Sequence, residues 1–313
     1  MGVFNFALNV GGTIGQNIGT GTATPVPFGL ALASAPSLAA FTLADAFDDG
    51  EPDLFRALRW DYGLCERLYG RDFEMENILA WARDGRKAAT ARLVTGEGGA
   101  GKTRLAAELA RILNDEGWTA GFLPRSGAMQ FHYEKGLFLI YDYPEEQGDR
   151  TKLLLEKIAE MKPTDAPVRV LFLSRRDFDT WQNEALSLEG RFGRQAVAAP
   201  GPLVLAQALA LIEEAARRFA DAAGMPHPDL SGAAAWLEQS DTHRMPLFSS
   251  AAAIHAVLAP GEPFGLDGAA LMRDLARREL RRVRQASRTL GIGEYGLERL
   301  LALAVLGDGL PAH

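Results

Sequence analysis

The octapeptide Gly96-Glu97-Gly98-Gly99-Ala100-Gly101-Lys102-Thr103 constrains this chain more than any other feature. It follows the pattern G-x-x-x-x-G-K-[ST] at every position. Its glycines let successive backbone N–H groups turn toward one anion. The pattern requires an apolar strand before it and a helix after it, so that the positive N-terminal end of the helix faces the same anion. Both are legible. Residues 91–94 read as a short apolar strand, and residues 102–116 place Leu105, Leu109 and Leu113 on one helical face. The spacing therefore predicts a phosphate-binding loop. Gly96, Glu97, Gly98, Gly99, Ala100, Gly101, Lys102, Thr103 and Arg104 form its candidate contact set, with ATP or ADP and Mg²⁺ as the expected cofactors. Lys102 neutralises charge on the terminal phosphates and the Thr103 hydroxyl is a candidate Mg²⁺ ligand. The loop reads phosphates only, so the base stays open between ATP and GTP.

Strands predicted at 119–123, 137–141 and 168–173 alternate with helices at 102–116 and 151–161. That order implies an α/β fold with a parallel sheet and helices on both faces. Asp142 ends the apolar run Leu137-Phe138-Leu139-Ile140-Tyr141. A carboxylate at that edge of the sheet is the second candidate for Mg²⁺. Tyr143 follows it, where an acid that polarises an attacking water is usual. Glu145, three residues past Asp142, is the candidate for water activation, with a solvated acidic loop as the alternative. Slow hydrolysis is expected. Residues 168–173 run into Ser174-Arg175-Arg176, and Arg176 is assigned a catalytic role at the terminal phosphate, which Arg175 could also fill. The catalytic candidates are thus Lys102, Asp142, Glu145 and Arg176.

Five segments are expected. Residues 1–44 carry no charged side chain and are rich in glycine, asparagine and glutamine. Such a composition resists building a core, and charge-free amide-rich stretches suit stacked, in-register strands. A flexible tail is the plainer reading. Residues 45–85 hold an acidic linker and upstream helices, with 54–68 and 73–83 predicted helical. Residues 86–200 form the phosphate-loop core. After Pro202 the periodicity is helical throughout, giving a helical lid over 201–265 and a further helical segment over 266–313. The last predicted helices cover 268–288 and 293–305. The first of these carries Arg273, Arg277, Arg281, Arg284 and Arg288 on one face, a solvated stripe by default.

The chain has 313 residues, one cysteine and a formal net charge of −7. The charge argues against bulk nucleic-acid binding. A lone Cys65 excludes an internal disulfide and fits a reducing compartment. No run reaches membrane-span length, and no basic residue precedes Arg56, as a secretory leader would require. A cytoplasmic protein is expected.

Several words flanking the loop resemble those of bacterial STAND-class signalling NTPases, relatives of the NACHT and NB-ARC proteins. They are Arg59-Trp60-Asp61-Tyr62-Gly63, Gly70-Arg71-Asp72, Gly117-Trp118-Thr119-Ala120-Gly121-Phe122-Leu123, Asp142-Tyr143-Pro144-Glu145 and Val168-Arg169-Val170-Leu171-Phe172-Leu173-Ser174-Arg175. The resemblance covers about residues 56–306. It implies that Arg71 contributes to the nucleotide site. It also implies that Pro246, in Arg244-Met245-Pro246-Leu247, contacts the base or ribose from the lid, although Arg244 stands where a glycine is expected. A proline at the first turn of a helix accounts for Pro246 equally well. The resemblance further implies a nucleotide-controlled switch that forms a homo-oligomer on activation, plausible in defence or cell-death signalling, with a winged-helix-like unit starting near the end. The chain is then a fragment or a short form that relies on a partner. Residues 3–19 look like short amyloid signalling motifs that template an effector protein. Two other readings stand beside this one: an AAA-type ATPase motor or remodeller, and a nucleic-acid-binding regulator using the basic helix.

Overall fold

The structure is a computed structural model that describes residues 2–6, 32–33, 36, 38, 41–48, 51–85, 89–124, 128–146, 148–160, 166–176, 200–262, 264–289 and 296. In chain order its elements are β1 (Gly2–Phe6), β2 (Leu32–Ala33), β3 (Phe47–Asp48), β4 (Glu51–Pro52), α1 (Leu54–Ala57), α2 (Asp72–Arg83), β5 (Ala89–Thr95), α3 (Lys102–Asp115), β6 (Thr119–Phe122), β7 (Ala128–Tyr133) and β8 (Leu137–Asp142). There follow α4 (Gly148–Glu160), β9 (Val168–Ser174), α5 (Leu205–Ala223), α6 (Ala233–Glu238), α7 (Pro246–Leu258) and α8 (Gly268–Thr289). They fall into two units: residues 1–40 with 67–207, and residues 41–66 with 208–313.

The first unit is built on a four-stranded parallel sheet in the order β5-β9-β8-β6. Its strands are apolar because both faces are covered, as parallel sheets require. On one face α2 and α3 bring Ile78, Leu105, Leu109 and Leu113 against Val94, Phe138, Ile140 and Leu171. Each buried leucine of α3 contributes about 1.5–3 kcal/mol relative to exposure. On the other face α4 brings Leu154, Leu155 and Ile158 against Leu93, Leu139, Val170 and Phe172. The expected α/β class with helices on both faces is what forms.

Two features of this unit depart from the expected order. β7 is a strand that the apolar-run reading passes over, because its pattern is alternation: Phe131 and Tyr133 are buried while His132 is exposed. β1 pairs antiparallel with β7, from Gly2 opposite Tyr133 to Phe6 opposite Met129, and β2 pairs with it in parallel. Part of the uncharged N-terminal stretch thus sits in a sheet. The rest of residues 7–31 lies outside the described residues.

In the second unit, residues 41–66 pack with the helices from 208 onward instead of standing apart as a linker. Phe41 stacks on Tyr62 with ring centroids 4.8 Å apart, and Phe47 lies 5.6 Å from Phe219. The helix predicted over 54–68 stops at Ala57. Arg59 is extended, its guanidinium grips the buried Asp61 carboxylate at 3.0 and 2.6 Å, and Gly63 turns left-handed at φ 66°. An ion pair two residues apart competes with the helix, and Gly63 ends the turn. Further on, Trp236 stacks flat on His243 at 4.0 Å and donates its indole N–H to the Leu266 carbonyl. The helix predicted at 293–305 lies outside the described residues.

Candidate functional site

The strand–loop–helix unit β5–α3 puts the octapeptide at the C-terminal edge of the sheet. Gly99 and Gly101 have φ of 85° and 86°, values that a side chain resists. Among the described residues, the amides of Gly98, Gly99 and Gly101 donate to no backbone carbonyl, whereas Ala100 N–H bonds Glu97 O at 3.3 Å. The first hydrogen bond of α3 runs from Leu105 N–H to Gly101 O. The amides of Lys102 and Thr103 are therefore the unsatisfied donors of a helix N-terminus. The loop thus presents a run of N–H groups and the positive end of a helix at one place.

Lys102 lies 8% exposed, and its Nζ donates to Gly96 O at 2.7 Å and Glu97 O at 2.9 Å. Burial lowers its pKa below the usual lysine range, while the carboxylate of Asp142 pushes it back up. Arg175 lowers it and Glu145 raises it, so these groups act on one ammonium. The Thr103 hydroxyl donates to Asp142 Oδ2 at 3.1 Å, joining the two candidate Mg²⁺ ligands across β8 and α3.

Strand β9 lies between the loop strand β5 and the Asp142 strand β8. Ser174, 1% exposed, ends that strand, with Arg175 and Arg176 just beyond it. Arg175 stands beside the loop. Its backbone N–H donates to Glu145 Oε1 at 3.1 Å, and a Cβ built on Gly98 would come within 3.9 Å of its Nε. Arg176 is exposed, and its N–H caps Ser174 Oγ at 3.0 Å. Glu145 rides on a short turn pinned from beneath, because the buried Thr151 hydroxyl donates to Pro144 O at 2.9 Å. Its other oxygen, Oε2, is buried with no partner among the described residues.

Arg71 is 4% exposed and reaches the loop from behind. It donates to Ala100 O at 3.1 Å, Gly201 O at 2.7 Å and Gly70 O at 3.0 Å. Gly70 makes this approach feasible. Its φ is 60°, and any Cβ there would sit 2.3 Å from Gln207 Oε1. The described contacts of Arg71 are thus to the loop backbone and to the segment that follows the sheet. Pro246 belongs to the second unit, at the first position of α7, where its missing N–H is not needed.

These residues fit a magnesium nucleotide. Among the described residues the amides of Gly98, Gly99 and Gly101 donate to no backbone carbonyl, as in loops that cradle phosphates, and Glu145, whose Oε2 is buried with no partner there, acts electrostatically on Lys102. Thr103 and Asp142 supply hard oxygen donors, which is what Mg²⁺ takes when phosphates and water fill the remaining positions. Among the described residues no group of three or more His, Cys, Asp or Glu side chains gathers as a protein-only metal cage would need. No helix among them is long and apolar enough to cross a membrane. On α8, Arg273, Arg277 and Arg284 are exposed and Arg278 pairs with Asp274 at 2.6 Å. The side chains of Arg281 and Arg288 lie outside the described residues.

No protein-family model and no curated protein matches the chain. Solved structures of similar fold include PCH-2 from C. elegans, at 14% identity over 70% of this chain and 72% of that one, with a TM-score of 0.43. The Aeropyrum pernix ORC2 protein in its ADPNP–ADP complexes is 15% identical over 82% of this chain and 86% of that one, with a TM-score of 0.45. A lysine-to-arginine mutant of Thermotoga maritima RuvB is 15% identical over 78% of this chain and 79% of that one, with a TM-score of 0.39. Such low identities and scores give these likenesses no weight for the activity of this chain.

Proposed function

We propose that this chain is a P-loop ATPase of low turnover that binds Mg·ATP and Mg·ADP and works as a nucleotide-controlled switch. The observation that carries the reading is the convergence of loop amides without backbone partners among the described residues, the buried Lys102 ammonium and the Thr103–Asp142 pair at one edge of a parallel sheet. A bound Mg²⁺ supplies charge neutralisation of the phosphates. Lys102 leaves its own loop carbonyls to meet phosphate oxygens, Thr103 and Asp142 hold the metal, and Arg71 keeps the Ala100 end of the loop in place. Arg104 adds a positive charge at the same helix end.

The finer parts of the reading follow the STAND-like words. The exchange of ADP for ATP loosens a helical lid that includes Pro246, exposes a homo-oligomerisation surface and gathers several N-terminal segments. Those segments then template an effector. Gly2–Phe6 is already strand-forming, since it pairs along its whole length with β7, and this supports a templating role. Tyr143 in place of an acid beside Asp142 supports slow hydrolysis. A working AAA-type motor is the second reading. The observation favouring it is the unpartnered Glu145 Oε2 at the site, which could take the proton of an attacking water.

Native mass measurement tests the proposal. Protein purified with ADP should carry one nucleotide per chain, and ATP should shift it to larger assemblies. Removing residues 1–40, which spares the Phe41–Tyr62 stack, should leave nucleotide binding unchanged and abolish seeding of the effector. Protein that retains no nucleotide under any of these conditions contradicts the reading. A peptide of residues 1–24 that forms no thioflavin-positive fibrils contradicts the templating part alone.

A further inference from the structure

Tyr143 is the one non-glycine among the described residues with a positive φ, at 53°. A side chain bearing a Cβ resists that region. Pro144 follows it, and a following proline disfavours the right-handed helical basin. Two backbone hydrogen bonds hold the conformation: Tyr143 N–H to Leu173 O, and Glu146 N–H to Tyr143 O, both at 3.1 Å. The first of these ties the turn after β8 to the end of β9.

The consequence of this backbone turn is where the phenol goes. Arg175 Nη2 donates to the Tyr143 hydroxyl at 3.0 Å, and the guanidinium carbon stands 5.0 Å from the ring centroid. The backbone of Arg175 is held separately by Glu145. The guanidinium carbon therefore lies over an aromatic ring, and a Cβ built on Gly98 of the phosphate loop would stand 3.9 Å from its Nε. A free arginine side chain would explore many rotamers, and stacking plus one hydrogen bond removes much of that freedom before a ligand arrives. Both contacts are exposed to solvent, so they set an orientation more than they add stability.

We propose that Tyr143 is a positioning residue that aims Arg175 at the terminal phosphate of a bound nucleoside triphosphate, and thereby sets the preference for triphosphate over diphosphate. The proposal rests on the P-loop reading above. It also accounts for the strained backbone: the turn that departs from the usual acid after Asp142 serves to place an aromatic ring beside β9.

The test is a set of binding isotherms for Mg·ADP and the non-hydrolysable Mg·ADPNP. Tyr143→Asn tolerates the left-handed backbone and lacks the ring. It should weaken ADPNP binding about tenfold and leave ADP binding unchanged. Tyr143→Phe keeps the stack and loses the hydrogen bond, and should weaken ADPNP about threefold. In an Arg175→Ala background, Tyr143→Asn should have no further effect on either ligand, because a positioning residue acts only through the residue it positions. Equal weakening of both ligands, or an undiminished effect of Tyr143→Asn when Arg175 is already alanine, would overturn the proposal while leaving the P-loop reading intact. Wild-type protein that binds neither ligand overturns both.

Discussion

The two ends of β9 each present an arginine, and the two could hardly be more different. Arg169, near the start of the strand, is 1% exposed. Its guanidinium donates to the carbonyls of Val168 at 2.9 Å, Trp81 at 3.3 Å and Asp84, and lies 6.0 Å from the centroid of the Trp81 ring. Burial pushes its pKa down to about 10, and Asp84 holds it up in part. Arg175, past the other end, is exposed and is held by the Glu145 carboxylate and the Tyr143 side chain. The difference separates a closed site from an open one. Arg169 has satisfied its donors on the C-terminal carbonyls of α2, where the negative end of the helix favours a cation. It fastens α2 to the sheet and has little left to offer a ligand. Lys102 makes loop contacts that a phosphate can replace, and Arg175 lies exposed beside the loop, where a ligand can reach it. A charged residue in an apolar strand is therefore not in itself a functional signal; the replaceability of its partners is.

Removing the closed site should have the largest effect. Arg169→Leu leaves the carbonyls of Trp81, Val168 and Asp84 without their donor, and should destabilise the folded chain by about 3 kcal/mol. Urea unfolding checks this, and a loss below about 1 kcal/mol would mean that water takes over the carbonyls at little expense.

Next comes the open site. Lys102→Ala should weaken ADP and ATP binding about 100-fold, near 2.7 kcal/mol, with no loss of thermal stability, because a partly desolvated ammonium is removed along with its own loop contacts. Calorimetric binding and a melting curve on the same sample separate the two effects.

Arg71→Ala falls between the two kinds of site, since Arg71 is buried like Arg169 but bonded to the loop. A stability loss of about 1–2 kcal/mol together with roughly tenfold weaker nucleotide binding is expected. Binding that is unchanged would mean that the Ala100 contact does not shape the loop.

The smallest effect is on pH. The folded state depresses the Lys102 pKa below 10.5, mainly by burial. Between the depressed value and 10.5 the unfolded chain binds more protons, so stability from this group rises with pH across that window. Nucleotide affinity should fall across the same window as the ammonium is lost. Lys102→Met should flatten both slopes, and titrations of unfolding and of binding will show whether it does.

The parts legible in the sequence were those whose physics is local. The octapeptide dictates its own backbone, and the apolar runs of β8 and β9 can be read because a parallel sheet buries both faces of each strand. The amphipathic face of α3 repeats Leu105, Leu109 and Leu113 without interruption. What escaped depended on partners far along the chain. β7 is a short alternating strand completed by β1, more than 120 residues earlier in the chain. One helix is predicted over 54–68, yet the extended Arg59, its pair with Asp61 and the left-handed Gly63 break that stretch after Ala57. The choice of Arg175 over Arg176 as the residue beside the loop needed the positions of Tyr143, Glu145 and Gly98. Val168-Arg169-Val170 did carry a warning, a cation inside an apolar run, but the carbonyls that satisfy it come from α2, and no spacing rule announces them.

Equilibrium binding of radiolabelled ATP with Mg²⁺, run side by side on wild type and Lys102→Ala, probes the phosphate loop most directly. One ATP per wild-type chain and about 100-fold weaker binding by the variant is the predicted result. ATP retained equally by both proteins, or by neither, would contradict the assignment of the Gly96–Thr103 loop as the nucleotide site.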